Sequence, residues 1–153
     1  MWTSISGLRV IAANMTETLC RLDGDYAPKY RNNLQRFNHR LDSIDSTVRA
    51  RLESAPSHSF LIWHPSLSYF ARDYGLNQIA LGEENKEVSV TQMRDKIDRA
   101  HASQCKTMFI QSNYDARQAG NVASQLGLTP IAINPVAYDW ESQFNIIADA
   151  IAR

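Results

Sequence analysis

Residues 57–81 read SHSFLIWHPSLSYFARDYGLNQIAL, and this stretch decides the fold. It opens with an apolar run, Ser59–Trp63, which has the length of a buried strand rather than of a helix. An amphipathic stretch, Pro65–Tyr74, follows and stops at Gly75, the residue type that most often closes a helix. A second apolar run, Gln78–Leu81, completes a strand–helix–strand unit. Short strands that alternate with helices are typical of a parallel sheet.

The same alternation continues to the end of the chain. The pattern predicts strands at Thr107–Ile110 and Pro130–Ile133, and helices at Val90–Ser103, Asp115–Leu126 and Asp139–Ala152. Together with the first unit, these segments predict the α/β fold class. The expected architecture is a four-stranded parallel sheet flanked by helices.

A helical pair precedes this α/β lobe. Apolar residues recur at three- and four-residue steps over residues 4–22 and again over residues 26–52, with no further break before Pro56. The second helix is expected to begin near Asp25 and to run for about 29 residues, which corresponds to about 43 Å. A helix longer than a small domain must connect two parts of a protein or pair with another structural element. The predicted domains are a helical segment with a long linker helix, residues 1–56, and an α/β lobe, residues 57–153.

Composition argues against several function classes. The 153 residues carry 16 basic and 16 acidic side chains, so the formal net charge is zero and simple electrostatic binding to nucleic acid is not expected. No apolar run reaches the roughly 20 residues of a membrane span, and the first residues lack the basic start of a signal segment. Cys20 and Cys105 show neither zinc-site spacing nor a disulfide framework, which leaves the redox compartment open.

Topology alone locates a candidate site. In a parallel sheet the carboxyl ends of all strands lie at one edge, and ligands bind in the crevice there. The residues predicted at this edge are His64, Glu83, Gln111 and Asn134. His64 has affinity for transition metals, Asn134 is a neutral oxygen donor, and Glu83 and Gln111 are polar candidates for the cleft lining. Structural interpretations stay open: His64 could cap the next helix, and Asn134 precedes Pro135, a common start of a turn.

Catalytic signatures are missing from the sequence. No glycine-rich phosphate loop follows a predicted strand, and neither a Gly-x-Ser-x-Gly elbow nor a His-Glu-x-x-His pair occurs. The carboxylates nearest to His64 in sequence, Asp73 and Glu53, do not have the spacing of an assembled acid–base pair. The chain is therefore predicted to be a binding domain and not an enzyme. A small-molecule or nucleotide-binding α/β enzyme that uses the same edge is the less favoured alternative.

Residues 63–76, WHPSLSYFARDYGL, resemble a stretch of the bacterial metal-ion ABC-transporter substrate-binding proteins, a family that handles zinc and manganese and includes the adhesion lipoproteins. In that family a strand ends in a ligand His and leads through an aromatic helix to a Tyr-Gly-Leu turn. The similarity continues through residues 109–111, 125–127 and 133–135, and Trp2-Thr3-Ser4 resembles the segment that comes after an Asp-Pro-His-x-Trp motif. The long helix resembles the linker between the two lobes of the family. The resemblance covers essentially the whole chain.

The resemblance implies that this chain is the carboxyl-terminal half of such a protein, without its leader segment and amino-terminal lobe. In the family the ion lies between the lobes, held by two His from the first lobe and two ligands from the second. The second His would fall one position before Met1. His64 matches the third ligand and favours zinc, because manganese-type members carry Glu there. Asn134 stands where many members have a ligand Asp, so its bond to the ion is expected to be weak or replaced by water.

The implied function is capture of a metal ion, zinc first and manganese second, for delivery to an ABC permease. The full-length parent would be periplasmic or extracellular and membrane-anchored, and the isolated chain is expected to bind the ion weakly if at all. An adhesion or interaction module with a decayed metal site is the alternative that Asn134 favours. The apolar stripe of residues 5–40 would normally rest on the missing lobe, so a homo-oligomer, most simply a dimer, is expected.

Overall fold

A computed structural model describes residues 2–82, 89–111 and 116–153, with the backbone alone at 90 and 116–118. The helices in these ranges are α1 (Ile5–Leu22), α2 (Ala27–Leu52), α3 (Ser68–Tyr74), α4 (Val90–Ala102), α5 (Ala116–Gln125) and α6 (Trp140–Ile151). The strands are β1 (Ser59–Ile62), β2 (Asn77–Ala80), β3 (Met108–Gln111) and β4 (Ile131–Ile133). A 3₁₀ turn, Gly24–Tyr26, separates α1 from α2.

The four strands form one parallel sheet in the order β2–β1–β3–β4. Leu61 of β1 lies opposite Ile79 of β2 and Met108 of β3, and Phe109 lies opposite Ile131 of β4. The predicted α/β architecture is therefore confirmed. In this order β3 lies between β1 and β4, so the residues that follow these three strands share one stretch of the sheet edge.

Each face of the sheet is covered by helices, because successive side chains of a strand point to opposite faces. Phe60 and Ile62 lie on one face, in a core that also contains buried residues of α2, α3 and α6. Leu61 and Met108 lie on the other face, in a second core with buried residues of α4 and α5. Both faces are thus removed from water, as a parallel sheet requires.

The helical segment is packed onto the same core as the sheet. Leu41, Val48 and Leu52 of α2 are buried there, together with Ile5 at the start of α1. Outside the core, Arg51 of α2 pairs with Asp149 of α6 at 3.2 Å, and Arg40 pairs with Glu141 of α6. The 26 residues of α2 correspond to about 39 Å. The helix is slightly shorter than predicted because the 3₁₀ turn takes up its expected first residues.

Helix α3 begins at Ser68, three residues later than the sequence predicts. The intervening backbone groups are held by tertiary contacts instead of by helical bonds. The Ser66 carbonyl accepts a hydrogen bond from Thr3 Oγ1 at 3.0 Å, and the Leu67 amide donates to Gln78 Oε1 at 3.0 Å. The result is a longer, braced loop between His64 and α3.

The ends of two helices follow the sequence signals. Gly75 closes α3 with a φ of +65°, and Gly127 follows α5 with a φ of +66°, a backbone region that suits glycine. None of the helices in the described ranges is long and apolar enough to cross a bilayer. Cys20 and Cys105 both carry free thiols.

Candidate functional site

A cleft of about 410 Å³ opens at the carboxyl edge of the sheet, and three of the predicted residues line it. His64 follows β1, Gln111 ends β3 and Asn134 follows β4. The topology brings them together because these three strands are neighbours in the sheet. Glu83, the fourth predicted residue, lies outside the residues that the structure describes.

His64 is half-buried at the wall of the cleft. Its carbonyl accepts a hydrogen bond from the Ser66 amide at 2.7 Å, which turns the chain sharply at Pro65 and fixes the loop that carries the imidazole. Within the described parts of the chain, no three His, Cys, Asp or Glu side chains gather closely enough to hold an ion. His64 therefore offers one imidazole and needs further ligands before it can hold zinc tightly.

Asn134 forms a turn at the exposed rim of the cleft. Its side-chain Oδ1 accepts a hydrogen bond from the Val136 amide at 3.2 Å, and its carbonyl accepts one from Ala137 at 3.1 Å. The backbone amide of Asn134 donates to Gln143 Oε1 at 2.8 Å. The structural role that the sequence left open is thus visible in these bonds. An uncharged oxygen that already accepts a hydrogen bond is a weak candidate for a metal ligand.

Gln111 is a buried polar residue, 8% exposed, at the last position of β3. Ladder pairing with Ile133 places it beside the strand that leads to Asn134. Its amide adds neutral donor and acceptor groups to the cleft. Among the residues that the structure describes, the wall of the cleft therefore combines the His64 imidazole with uncharged polar groups.

The segment ahead of α1 forms another wall of the cleft, which the sequence did not reveal. Trp2 and Thr3 line the cleft, although they precede His64 by about 60 residues in the chain. Thr3 is buried, and the hydrogen bond of its hydroxyl to the Ser66 carbonyl ties this segment to the His64 loop. A Thr at this position carries no sequence signal for a partner so distant along the chain.

Asp73 clamps the same segment to α3. Its carboxylate accepts hydrogen bonds from Ser4 Oγ at 2.5 Å, from Ser6 Oγ at 2.9 Å and from the Ser6 amide at 3.2 Å, and Arg72 pairs with it at 2.8 Å. Burial by itself raises the pKa of Asp73, but the hydrogen bonds from Ser4, Arg72 and Ser6 outweigh it and hold the pKa below its ordinary value. Ser4 Oγ also accepts from the Gly7 amide and so caps α1. The role of Asp73 is therefore to anchor a helix.

A second cavity of about 320 Å³ adjoins the cleft and shares Trp2 and Pro135 with it. Its lining is mainly apolar and includes Phe70, Trp140 and Phe144. These side chains pack on one another, with the ring centroids of Phe144 5.7 Å from Phe70 and 5.9 Å from Trp140. Apolar walls do not stabilise a bare cation, so the first cleft is the better candidate for an ion.

Comparison with known proteins relates the chain as a whole to proteins of metal uptake. The family model ZnuA, described as the periplasmic component A of a zinc-uptake complex, matches residues 1–149. A crystal structure of ZnuA superimposes with a TM-score of 0.92 at 29% sequence identity and covers 99% of this chain and 60% of that one. Another similar structure is that of the laminin-binding protein Lmb of Streptococcus agalactiae, described as bifunctional with adhesin and metal-transporting activity. It superimposes with a TM-score of 0.89, and the match covers 99% of this chain and 63% of that one. At 18% sequence identity, this similarity shows a shared fold alone.

The curated relatives are longer than this chain. One from Chlamydia muridarum is 24% identical over 152 residues, which are 99% of this chain and 55% of that protein. The chain thus spans about half the length of the curated relatives it matches.

Proposed function

The chain belongs to the family of periplasmic zinc-uptake components, and from this premise we propose that it captures a metal ion, zinc in preference to manganese, for delivery to an ABC permease. The family consists of metal-binding transport proteins and not of enzymes, which confirms the prediction made from the missing catalytic motifs. Its members are periplasmic or extracellular proteins. Membrane anchoring is part of the proposal.

The observation that supports this function is the shared cleft of His64, Gln111 and Asn134. His64 is the proposed ligand from this chain, because a neutral imidazole binds zinc well. Structural zinc sites use four protein ligands and catalytic ones three, so the remaining ligands would come from an amino-terminal lobe, as the family resemblance implies. The ion is cargo, held by coordination and released without chemistry.

The helical segment defines how the two lobes would move. We propose that residues 1–56 connect the lobes and that residues 57–153 form the carboxyl-terminal lobe. Helix α2 is fixed to α6 by ion pairs at Arg40 and Arg51 and is buried at Val48. A continuous helix held along its length resists bending, so closure around the ion would use small lobe rotations and not a loop hinge.

Titration with zinc tests the proposed site in the chain as it stands. Zinc sulfate is added to the protein, and the imidazole carbon–proton signals of the four histidines are followed by NMR. The His64 signals are expected to shift with a dissociation constant well above about 1 µM, which corresponds to about −8.2 kcal/mol, because one imidazole and water supply the ligands. The variant His64→Ala removes the response, and His101→Ala, at the exposed end of α4, keeps it.

Two results would count against this function. A titration in which the His64 signals stay unchanged at a zinc concentration that shifts those of the exposed His101 would show that the imidazole in the cleft is not available to an ion. Submicromolar binding that depends on His64 would show that the chain itself holds three or more ligands, contrary to the one-imidazole site. Manganese chloride in the same titration is expected to bind more weakly than zinc.

An adhesion or interaction role is the second candidate, and one observation favours it. Asn134, at the position of the family's ligand Asp, is engaged in its own turn, as expected if the metal site has decayed. In that case zinc would not alter the His64 signals, and the function would reside in the surface of the lobe.

Apolar side chains on the helical pair suggest self-association. Met15, Leu19 and Leu22 recur at four- and three-residue steps along one face of α1 and are between 40% and 76% exposed. Contiguous exposed apolar surface tends to be covered by another chain. We propose that a second copy covers this face in solution and forms a homodimer through residues 5–40.

A further inference from the structure

Gln111 has a buried stem and an amide that is open to solvent in the cleft. The residue is 8% exposed and lines the wall of the cleft. Its side-chain amide forms no hydrogen bond with any residue that the structure describes, and neither its oxygen nor its nitrogen is shielded from solvent. The small exposed part of Gln111 therefore includes the amide. Because buried polar side chains are normally hydrogen-bonded, the partner of this amide must enter the cleft from solvent.

The strand register places this amide beside the imidazole of His64. Ile62 of β1 lies opposite Phe109 of β3, and His64 and Gln111 each follow two residues later. The Trp63 amide still donates to the Phe109 carbonyl at 3.0 Å, so the two segments run side by side up to this level. Ile62 and Phe109 belong to the same core, and side chains two residues apart share a face of the sheet. His64 and Gln111 are thus neighbours, on segments that the strand spacing of about 4.8 Å separates.

Other polar groups of the cleft wall are already engaged. The Asn134 side-chain oxygen accepts from the Val136 amide, and the Thr3 hydroxyl donates to a backbone carbonyl. A zinc ion on His64 would lie about 2 Å from the imidazole nitrogen and would keep water at the positions that no protein group fills. Zinc polarises such a water, which makes it a strong hydrogen-bond donor. The amide oxygen of Gln111 can accept this bond, and the strand register brings it to the side of the ion.

We propose that Gln111 is a positioning residue for the hydrated ion: its amide oxygen accepts a hydrogen bond from a water molecule on the zinc that His64 binds. This role rests on the proposed function and gives the chain a second contact with its cargo. Because the amide is neutral, it orients the hydrated ion without compensating the ion's charge. The carboxylate of a glutamate at the same position would compensate it. Gln111 thus keeps the zinc affinity of the chain low, which suits an ion that has to be released.

Zinc sulfate titration, followed at the His64 signals, compares wild type with two variants. Gln111→Leu keeps an apolar stem next to Phe109 and Ile133 but has no amide, and it should bind zinc about three- to tenfold more weakly. Gln111→Glu keeps the shape of the side chain and places a carboxylate beside the ion, so it should bind zinc about tenfold more tightly or better. A gain in affinity cannot result from a damaged fold, so Gln111→Glu keeps the test decisive if Gln111→Leu is poorly folded.

Two controls separate a local contact from a general effect of charge. Gln125→Glu adds the same charge at the exposed end of α5, which leads from the carboxyl end of β3 back to the amino end of β4, and it should leave zinc affinity unchanged. Combining Gln111→Glu with His64→Ala should abolish the gain, because both side chains act on one ion. This double variant has no His64 signals, so its binding is measured by the rise of the unfolding midpoint at a fixed zinc concentration.

Any of three results would overturn this role of Gln111. Zinc affinity that is unchanged in Gln111→Leu, or that does not rise in Gln111→Glu, refutes the contact and leaves metal capture by His64 intact. A gain in Gln111→Glu that persists with His64→Ala, or that Gln125→Glu reproduces, shows that added charge alone recruits zinc. Wild-type His64 signals that stay unchanged at a zinc concentration that shifts those of His101 refute the proposed function together with the contact.

Discussion

Replacing Asp73 by Asn tests how the amino-terminal wall of the cleft is held. The side chain is only 9% exposed and joins the start of α1 to α3. The substitution keeps the shape of the side chain but removes the charge and one acceptor oxygen. The Ser4 hydroxyl and the Ser6 amide donate to Oδ2, and Arg72 donates to Oδ1, so a single Asn oxygen cannot accept from both sides. At least one donor is therefore left facing the new amide group.

The expected cost is about 2 kcal/mol. Hydrogen bonds to a charged group contribute about 1.5–3 kcal/mol each, and the amide oxygen of Asn retains part of this. The ion pair with Arg72 adds little, because the Arg side chain is 58% exposed and water screens the pair. For a chain of 153 residues, a loss of about 2 kcal/mol corresponds to a midpoint lowered by about 4–8 °C.

Urea unfolding at several pH values measures this effect and its sign. The folded-state pKa of Asp73 is lower than the unfolded value of about 3.9, so the carboxylate stabilises the protein above about pH 4. This contribution is lost as the pH falls through the folded-state pKa. The difference between wild type and Asp73→Asn should thus be constant near neutral pH and should shrink in acid.

Asp42→Asn is the control, because Asp42 also joins α1 to α2 through Arg9 but is 61% exposed. Its loss should change stability by no more than about 1 kcal/mol. An Asp73→Asn protein within about 0.5 kcal/mol of wild type at pH 7, or a difference that grows in acid, would refute the clamp as a stabilising contact.

Two further predictions concern other parts of the molecule. Gly82→Ala should destabilise the protein by about 1–3 kcal/mol in urea unfolding, because an added Cβ would lie 2.9 Å from the Trp63 carbonyl oxygen. Gly120→Ala is the control and should be neutral or stabilising, because the space at that position of α5 is open. Equal effects of the two substitutions on stability would contradict the close contact at Gly82. Sedimentation velocity should detect a dimer of the wild-type protein. Leu22→Glu should weaken this dimer, and Tyr138→Glu, outside the helical pair, should leave it intact. A wild-type protein that stays monomeric at high concentration would exclude the proposed self-association.

Local patterns in the amino-acid sequence were sufficient to predict most of the fold. The alternation of short apolar runs with amphipathic stretches is set by burial on a parallel sheet, and it predicted the strands and α-helices that the described residues form to within a few residues. The edge residues His64, Gln111 and Asn134 could be named from the amino-acid sequence because the carboxyl ends of parallel strands always meet. The sequence did not show that α3 begins at Ser68, since contacts from Thr3 and Gln78 hold the preceding backbone.

The amino-acid sequence by itself determined the α/β class, the sheet edge and the imidazole at its rim, because hydrophobic periodicity and the alternation of strands with helices are set over short distances along the chain. Tertiary structure alone decided what surrounds that imidazole. The bond from Thr3 to Ser66, the clamp on Asp73 and the shielding of the Ser66 hydroxyl depend on residues more than 60 positions apart or on the burial of a single atom. Such contacts leave no periodic trace, because a hydrogen bond needs only two groups that folding happens to bring within about 3 Å.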